Sequence, residues 1–319
     1  VQSSAMYGWN GSAWTRLGDS PPMALHTLAV IDDRLVAAGP ILAGGAIELS
    51  AANIMGDASA WTSFVNPWPG ARFAHVGFYD SWRAELVMGL GVSAGSLATR
   101  DMWSMNPLTG WRQRGTGPTP RVGAAGGFDP VRGQGVIFGG FAGEDLADTW
   151  VWNGASWANV AVSGPSARAG ATMAWSPAHG RLLLFGGRRI GTGVFVIEPD
   201  DNVPATDFYS DVWAWNGNGW DELVPMGAGP SGRWLAGFAC DRSGDCVVYG
   251  GQRGATTVGD TWKLVNAAWQ PVLDESAQPA RWSATLAEYA PRGKLIMMGG
   301  VAENRLYTEA FWEWDQTWT

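Results

Sequence analysis

A pattern of glycine, acid and tryptophan positions recurs along this chain and constrains its fold more than any other feature. The clearest copy, residues 136–160, reads VIFGGFAGEDLADTWVWNGASWANV, with an apolar run, a Gly-Gly doublet, a loop, an Asp and three Trp. Similar stretches occupy residues 182–220, 247–269 and 295–318, and weaker ones occupy 34–61 and 86–111. Repeats of about 45–65 residues that hold short strands predict small sheets, each burying its faces against neighbouring copies.

This order of residues resembles the Kelch repeat, and nearly the whole chain resembles the Kelch β-propellers, which include the central domain of galactose oxidase. The resemblance implies an all-β fold in one domain, residues 1–319, with four-stranded blades around a channel. The strands of a blade are called a to d from the channel outwards, and the d–a and b–c loops share one face. Gly 45 and Trp 21 suit many tight turns and short strands.

The number of blades follows from the inner strands, because these line the channel. Glycine doublets or their remnants end strand b near six positions, 39, 89, 139, 186, 250 and 299. The Trp of strand d occurs at seven positions, 14, 61, 111, 157, 220, 269 and 318. We therefore predict six blades, with N-terminal strands in residues 1–19 closing the ring. The alternative is a seven-bladed propeller with one incomplete blade.

Charge, hydropathy and the cysteines indicate the compartment and exclude two kinds of partner. A net charge of −8 argues against nucleic acid, and no apolar run is long enough for a membrane span. Cys240 and Cys246 flank a short turn, so they are expected on paired strands within disulfide reach. Two buried thiols are the alternative. A disulfide and the start at Val1 without Met fit a secreted or periplasmic protein.

An arginine precedes strand a in five of the six repeats, and an acid precedes strand c. One hypothesis is that Arg–Asp pairs join the blades. The other is that the arginines surround the channel mouth and bind a carboxylate or sulfate of a ligand. The arginines are Arg72, Arg121, Arg168, Arg233 and Arg281, and the acids are Asp101, Asp148, Asp211, Asp260 and Glu309.

Aromatic and histidine side chains near these arginines vary between repeats, and varying positions are the functional candidates. Phe73, Trp234 and Trp282 follow an arginine directly, and Trp68 lies in a d–a loop. They are expected either to stack on a sugar or aromatic ligand or to pack between blades. His26 and His75 share one position in the first two repeats and suit a structural role, with metal binding or proton transfer as the alternative.

The longest departure from the repeat is residues 188–210, an inserted b–c loop of blade 4, which we call the insertion. Long loops on a rigid scaffold are often functional, so we expect an ordered lid or a partner-binding loop. Arg188, Arg189 and Tyr209 are its candidate ligand contacts. Its acids would suit calcium but lack EF-hand spacing, so no cofactor is expected.

These features favour a secreted binding module whose loop face takes a glycan, a peptide or a protein. The resemblance also covers enzymes, so a mutarotase- or lyase-like site at the channel mouth is the second hypothesis, with His75, Glu198 and Arg233 as candidates. Copper-radical oxidase chemistry is disfavoured, because it needs a Tyr–Cys crosslink and both cysteines are expected to pair. A structural unit that oligomerises through its N-terminal strands is the third hypothesis.

Overall fold

The structure of the chain is a computed structural model. It describes the side chains of residues 72–93, 98–106, 109–193, 207–272, 279–288 and 294–303, and those of Pro69 and Phe195. Elsewhere it describes only the backbone of the strands named below. Among the described residues there is no helix that is long and apolar enough to cross a membrane.

The described secondary structure consists of short strands, most of them five residues or fewer. In chain order they are β1 (Ser4–Trp9), β2 (Trp14–Ser20), β3 (Thr27–Ile31), β4 (Arg34–Ala38), β5 (Ile41–Ala43), β6 (Ala46–Glu48), β7 (Asn53–Met55), β8 (Trp61–Ser63), β9 (Arg72–Phe73), β10 (Val76–Asp80), β11 (Glu85–Gly89), β12 (Val92–Ser93), β13 (Asp101–Asn106), β14 (Gly110–Thr116), β15 (Ala125–Asp129), β16 (Gln134–Phe138), β17 (Thr149–Trp152), β18 (Trp157–Val160), β19 (Thr172–Ser176), β20 (Arg181–Phe185), β21 (Val212–Trp215), β22 (Trp220–Leu223), β23 (Gly237–Cys240), β24 (Cys246–Tyr249), β25 (Gln252–Arg253), β26 (Thr256–Thr257), β27 (Thr261–Val265), β28 (Ala268–Val272), β29 (Arg281–Trp282), β30 (Thr285–Tyr289), β31 (Lys294–Met298), β32 (Val301–Ala302) and β33 (Phe311–Trp314).

The strands form antiparallel sheets in the order that the repeat predicts. In the described part of the chain, sheets 1 to 5 have four strands each and sheet 6 has three. Their strand orders are β3-β4-β7-β8, β10-β11-β13-β14, β15-β16-β17-β18, β19-β20-β21-β22, β23-β24-β27-β28 and β30-β31-β33. The short strands pair as β1-β2, β5-β6, β9-β12, β25-β26 and β29-β32. The β1-β2 hairpin falls within residues 1–20, and its expected part in closing the ring stays a prediction.

Successive sheets pack face to face. In β16, Val136 and Phe138 cluster with side chains of sheet 4, whereas the residue between them, Ile137, clusters with Phe78 of sheet 2. Alternate residues of a strand point to opposite faces, so sheet 3 is buried on both sides. The first strands approach each other in a closed order, β3, β10, β15, β19, β23, β30 and back to β3. This arrangement is compatible with a β-propeller.

The tryptophans of the outermost strands hold neighbouring sheets together. Trp157 meets Phe78 of the preceding sheet edge to face, with ring centroids 6.3 Å apart. Trp220 and Phe138 repeat this contact at 5.6 Å, and Trp269 repeats it with a phenylalanine of sheet 4. Edge-to-face pairs add to the burial of large aromatic surfaces. The repeated Trp of strand d is therefore part of the packing between sheets.

The hairpin of sheet 5 carries a disulfide. Cys240 and Cys246 are directly paired residues of β23 and β24, and their sulfurs are bonded at 2.03 Å. Both side chains are buried in the cluster that joins sheets 4 and 5. The spacing in the sequence indicated this pairing, and the disulfide staples the two inner strands of the sheet.

Candidate functional site

Sheets 2 to 5 each contain an Arg–Asp–Trp unit at the end of the sheet where the d–a and b–c loops lie. In sheet 3, Arg121 reaches both carboxylate oxygens of Asp148, at 2.5 and 2.8 Å, and donates to the Gly139 carbonyl at 3.0 Å. The indole N–H of Trp150 donates to the same carboxylate at 2.7 Å. Arg121 is fully buried, so this carboxylate is the counter-ion that offsets the cost of burying its charge.

The same unit recurs in three further sheets. Its members are Arg72, Asp101 and Trp103 in sheet 2, Arg168, Asp211 and Trp213 in sheet 4, and Arg233, Asp260 and Trp262 in sheet 5. Every unit joins the start of the first strand to the start of the third strand of one sheet. The expectation that these pairs join neighbouring blades is therefore wrong, since they brace single sheets.

Three of these acids, Asp101, Asp148 and Asp260, are held ionised. Burial by itself raises the pKa of the Asp148 carboxyl, but hydrogen bonds from Arg121 and Trp150 and the charge of Arg121 outweigh it, so the pKa lies below its usual value. The balance of burial against arginine and indole contacts also lowers the pKa of Asp101 and Asp260. These three carboxylates are therefore charged at neutral pH.

The fifth arginine, Arg281, is also fully buried, and it donates to the carbonyls of Pro279 and Gly299, both at 3.2 Å. Its predicted acidic partner, Glu309, lies outside the described residues. All five guanidinium groups thus point into the sheets, and their direct contact with a ligand stays a prediction.

Neighbouring sheets are joined by backbone hydrogen bonds around the channel. The residue two positions after each arginine has a positive φ, from 50° to 66°. We call these residues, Ala74, Gly123, Gly170, Leu235 and Ser283, the mouth ring. The N–H groups of the last four donate to the carbonyl of the preceding member at 2.8 to 2.9 Å. These bonds fix the distance between first strands and so the width of the channel mouth.

The channel contains two adjoining cavities. One, of about 210 Å³, lies at the mouth ring, and the other, of about 230 Å³, lies deeper. Small side chains contribute to the lining of both, because alanine occupies the position of His75 in sheets 3 to 6. Those alanines are Ala124, Ala171, Ala236 and Ala284. Arg233, the other candidate for proton transfer, does not line either cavity but lies in its ion pair. Glu198 and His26 lie outside the described residues.

The two ends of the insertion are anchored to both neighbouring sheets. The backbone N–H groups of Ile190 and Gly191 donate to the Asp145 carboxylate of sheet 3 at 2.8 and 2.7 Å. Arg189 forms an ion pair with Asp207 across the base of the insertion at 2.7 Å. These contacts hold residues 188–193 and 207–210 at the mouth end of the sheets.

Aromatic contacts complete this anchoring. Phe195 packs between Phe141 of sheet 3 and Trp234 of sheet 5, at centroid distances of 6.0 and 5.9 Å. A Cβ placed on Gly123 of the mouth ring would lie 3.1 Å from the Phe195 ring. The described part of the insertion therefore stands beside the channel mouth, and its role as a lid or a partner-binding loop stays a prediction.

The aromatics that were expected on the ligand face are largely packed. Trp234 is 1 % exposed, its N–H donates to Gln252 at 2.9 Å, and the Arg188 guanidinium lies 3.8 Å from its ring centroid. Trp282 is 7 % exposed, and Tyr209 lies under Arg168 at 3.9 Å.

Phe73 is half-buried, and Trp68 lies outside the described residues. The geometry at Trp234 and Trp282 favours the packing alternative, and stacking of these aromatics on a ligand stays a prediction.

Sequence reasoning missed one tryptophan at the opposite end of the sheets. Trp82, in the turn between β10 and β11, is 60 % exposed, and the other tryptophans with described side chains are buried or half-buried. It lies outside the repeat positions of strands c and d, and that off-pattern place was the available signal.

The comparisons with known proteins leave the family open. No protein-family model matches the chain, and no curated protein matches it either. Among the described residues, no three His, Cys, Asp or Glu side chains are grouped to hold a metal ion. The calcium hypothesis stays a prediction.

Proposed function

We propose that the chain is a six-bladed β-propeller of the Kelch type and that it works as a binding module outside the reducing cytoplasm. The closed order of six first strands and the four-stranded sheets support this architecture. The Cys240–Cys246 disulfide supports a secreted or periplasmic location, because cytosolic thiols are kept reduced.

The site of binding is the mouth cavity and the insertion beside it. The observation that carries this proposal is the anchoring of the insertion to both neighbouring sheets, through Asp145 and through Phe195. A loop that is anchored to two sheets beside an open cavity forms a fixed wall for a ligand, and ordered loops on a rigid scaffold are the usual place for recognition.

The size of the mouth limits what enters it. A cavity of about 210 Å³ is smaller than the roughly 300–1,000 Å³ of sites that enclose a drug-sized ligand. The module therefore takes one side chain or one sugar unit of a larger glycan, peptide or protein into the mouth, and the loops contact the remainder.

Narrowing the mouth tests the proposal without disturbing the ion pairs. Ala124 and Ala171 occupy the position of His75, so the backbone there accepts an imidazole. Glycan and peptide arrays first identify a ligand of the wild type. The A124H/A171H variant should bind that ligand with a Kd raised about tenfold or more, because contacts at the centre of a binding site carry most of its affinity. A158H, on the exposed outermost strand of sheet 3, is the matched control.

Binding of the two variants on the arrays shows whether the ligand site is at the mouth. Binding that A124H/A171H and A158H retain equally, at unchanged melting temperature, moves the site away from the mouth and contradicts this proposal. Turnover of an acidic sugar that disappears in His75→Ala, with its binding kept, would instead favour the mutarotase-like alternative, because His75 supplies an imidazole to the cavity wall.

A further inference from the structure

A second surface, at the opposite end of the sheets from the mouth, presents a fixed aromatic side chain to solvent. We call it the turn patch, and it consists of Trp82 and Arg83 from sheet 2 with Pro130 and Val131 from sheet 3. Trp82 and Val131 are 60 % and 62 % exposed. Large apolar side chains with this exposure indicate a binding surface where they are held in one orientation.

The neighbouring sheet fixes the orientation of Trp82. Its indole N–H donates to the Pro130 carbonyl at 2.7 Å, across the boundary between sheets 2 and 3. One ring face rests on the backbone of Gly133, where an added Cβ would lie 2.4 Å from a ring carbon. The other face is consequently turned to solvent, and little conformational entropy remains to be lost when a ligand covers it.

Polar groups border this exposed ring. Arg83, the residue after Trp82, is bonded to the Asp80 carboxylate at 2.7 Å and to the Asn153 carbonyl at 3.0 Å, so its guanidinium is fixed at the boundary between sheets 2 and 3. The Arg83 side chain is 29 % exposed. Ser81, directly before Trp82, is exposed as well. The patch thus combines one apolar face with hydrogen-bonding groups at its edge.

The size of the patch decides which partner fits. An indole offers on the order of 150–250 Å² at most, whereas a stable protein interface buries about 1,200–2,000 Å². The net charge of −8 disfavours a nucleic-acid base. A pyranose ring, with a C–H face for the indole and hydroxyls for Arg83 and Ser81, matches both the area and the chemistry.

We propose that the turn patch binds a pyranose unit of an oligosaccharide by stacking on Trp82. This site is separate from the mouth and does not depend on the function proposed for it. A protein with both sites would hold two parts of one glycan-bearing ligand or two different ligands.

Three variants test the stacking. Titration with soluble cellohexaose, chitohexaose and oligogalacturonate should show binding of at least one probe by the wild type. W82A should raise its Kd about tenfold or more, because a truncated aromatic contact at the centre of a small site carries most of its affinity. W82F keeps a stacking ring and should stay within about threefold. V224A removes an apolar side chain that is 82 % exposed elsewhere and should change nothing.

Two further measurements keep the test decisive if W82A is destabilised. The probe should shift the tryptophan emission of the wild type, and W82F should bind without that shift, because Trp82 is the indole covered. A124H/A171H should bind the probe normally, which separates this site from the mouth. Absence of binding for all three probes, or equal affinity of W82A and the wild type, overturns the proposal.

Discussion

Replacing Asp148 by Asn should destabilise the protein far more than an equal change in an exposed ion pair. The substitution keeps the size of the side chain and removes its charge, which leaves Arg121 with no exposed surface and no counter-ion. Breaking a buried pair by removing one partner typically costs about 3–5 kcal/mol. The Asp148 side chain is 30 % exposed, and water can partly solvate the site, so we expect about 3 kcal/mol.

Urea unfolding at pH 7, followed by circular dichroism and tryptophan fluorescence, measures this cost. The matched control is D221N, because Asp221 pairs with Arg181 on the surface, where the two side chains are 51 % and 36 % exposed. Exposed pairs contribute little to stability, so D221N should remain near wild type. If D148N cost no more than D221N, the view that the Arg–Asp–Trp units stabilise the sheets would be refuted.

The same pair should respond to acid. Because the pKa of Asp148 in the folded chain lies below its usual value, the charged pair contributes stability above the unfolded pKa, and this stability is lost as pH falls through the folded pKa. The pKa values of Asp101 and Asp260 are lowered in the same way. Stability should therefore fall below about pH 4, and D148N and the wild type should converge there.

Three further predictions concern a glycine in a close backbone contact, a buried hydrogen bond and a partly buried carboxyl. Gly140 and Gly143 both have positive φ, of 98° and 88°, but only Gly140 has a backbone carbonyl within 3 Å of an added Cβ. G143A should therefore lower the free energy of unfolding in urea by about 1–2 kcal/mol, and G140A should lower it by about 1–3 kcal/mol more. W220F should cost about 1–3 kcal/mol, because it removes the 3.0 Å bond to the buried Thr149 hydroxyl, and W220F/T149V should recover part of this in a double-mutant cycle. Burial raises the pKa of Glu288 despite its ion-pair partner, so its charge weakens the fold above the folded pKa, and E288Q should raise the melting temperature at pH 7 but not at pH 4.

The repeat in the sequence predicted the arrangement of strands because its repeated residues lie where the backbones of neighbouring sheets make contact. The glycine doublets mark places where neighbouring sheets touch, and the N–H of Gly140 donates to the Arg168 carbonyl of the next sheet. The Trp of strand d marks the contact with the preceding sheet, as between Trp220 and Phe138. Such positions recur in most copies, so one chain is enough to identify them.

Side-chain orientation was less predictable than position. An arginine before strand a was expected either at the mouth or in a pair, and the sequence contained no information about which way Arg121 turns. A nearby carboxylate offsets the cost of burying a guanidinium, and Asp148 lies 27 residues away in the sequence, brought near by the pairing of three strands. The exposed Trp82 was missed for a similar reason, since its setting is made by Gly133 of the next sheet.

The two clearest departures from the repeat, the insertion and the aromatic after Arg233, belong together in the structure. Arg188 lies 3.8 Å over the Trp234 ring and Phe195 packs on its edge, so the indole is the surface on which the insertion rests. A cation over an aromatic face in a buried setting contributes about 2 kcal/mol or more. Sheet 3 has Val122 in the corresponding position, where no such loop needs support. Truncation of Trp234 would therefore release the insertion and would impair the proposed binding without any ligand contact, so only changes at exposed or cavity-lining residues can locate the proposed site.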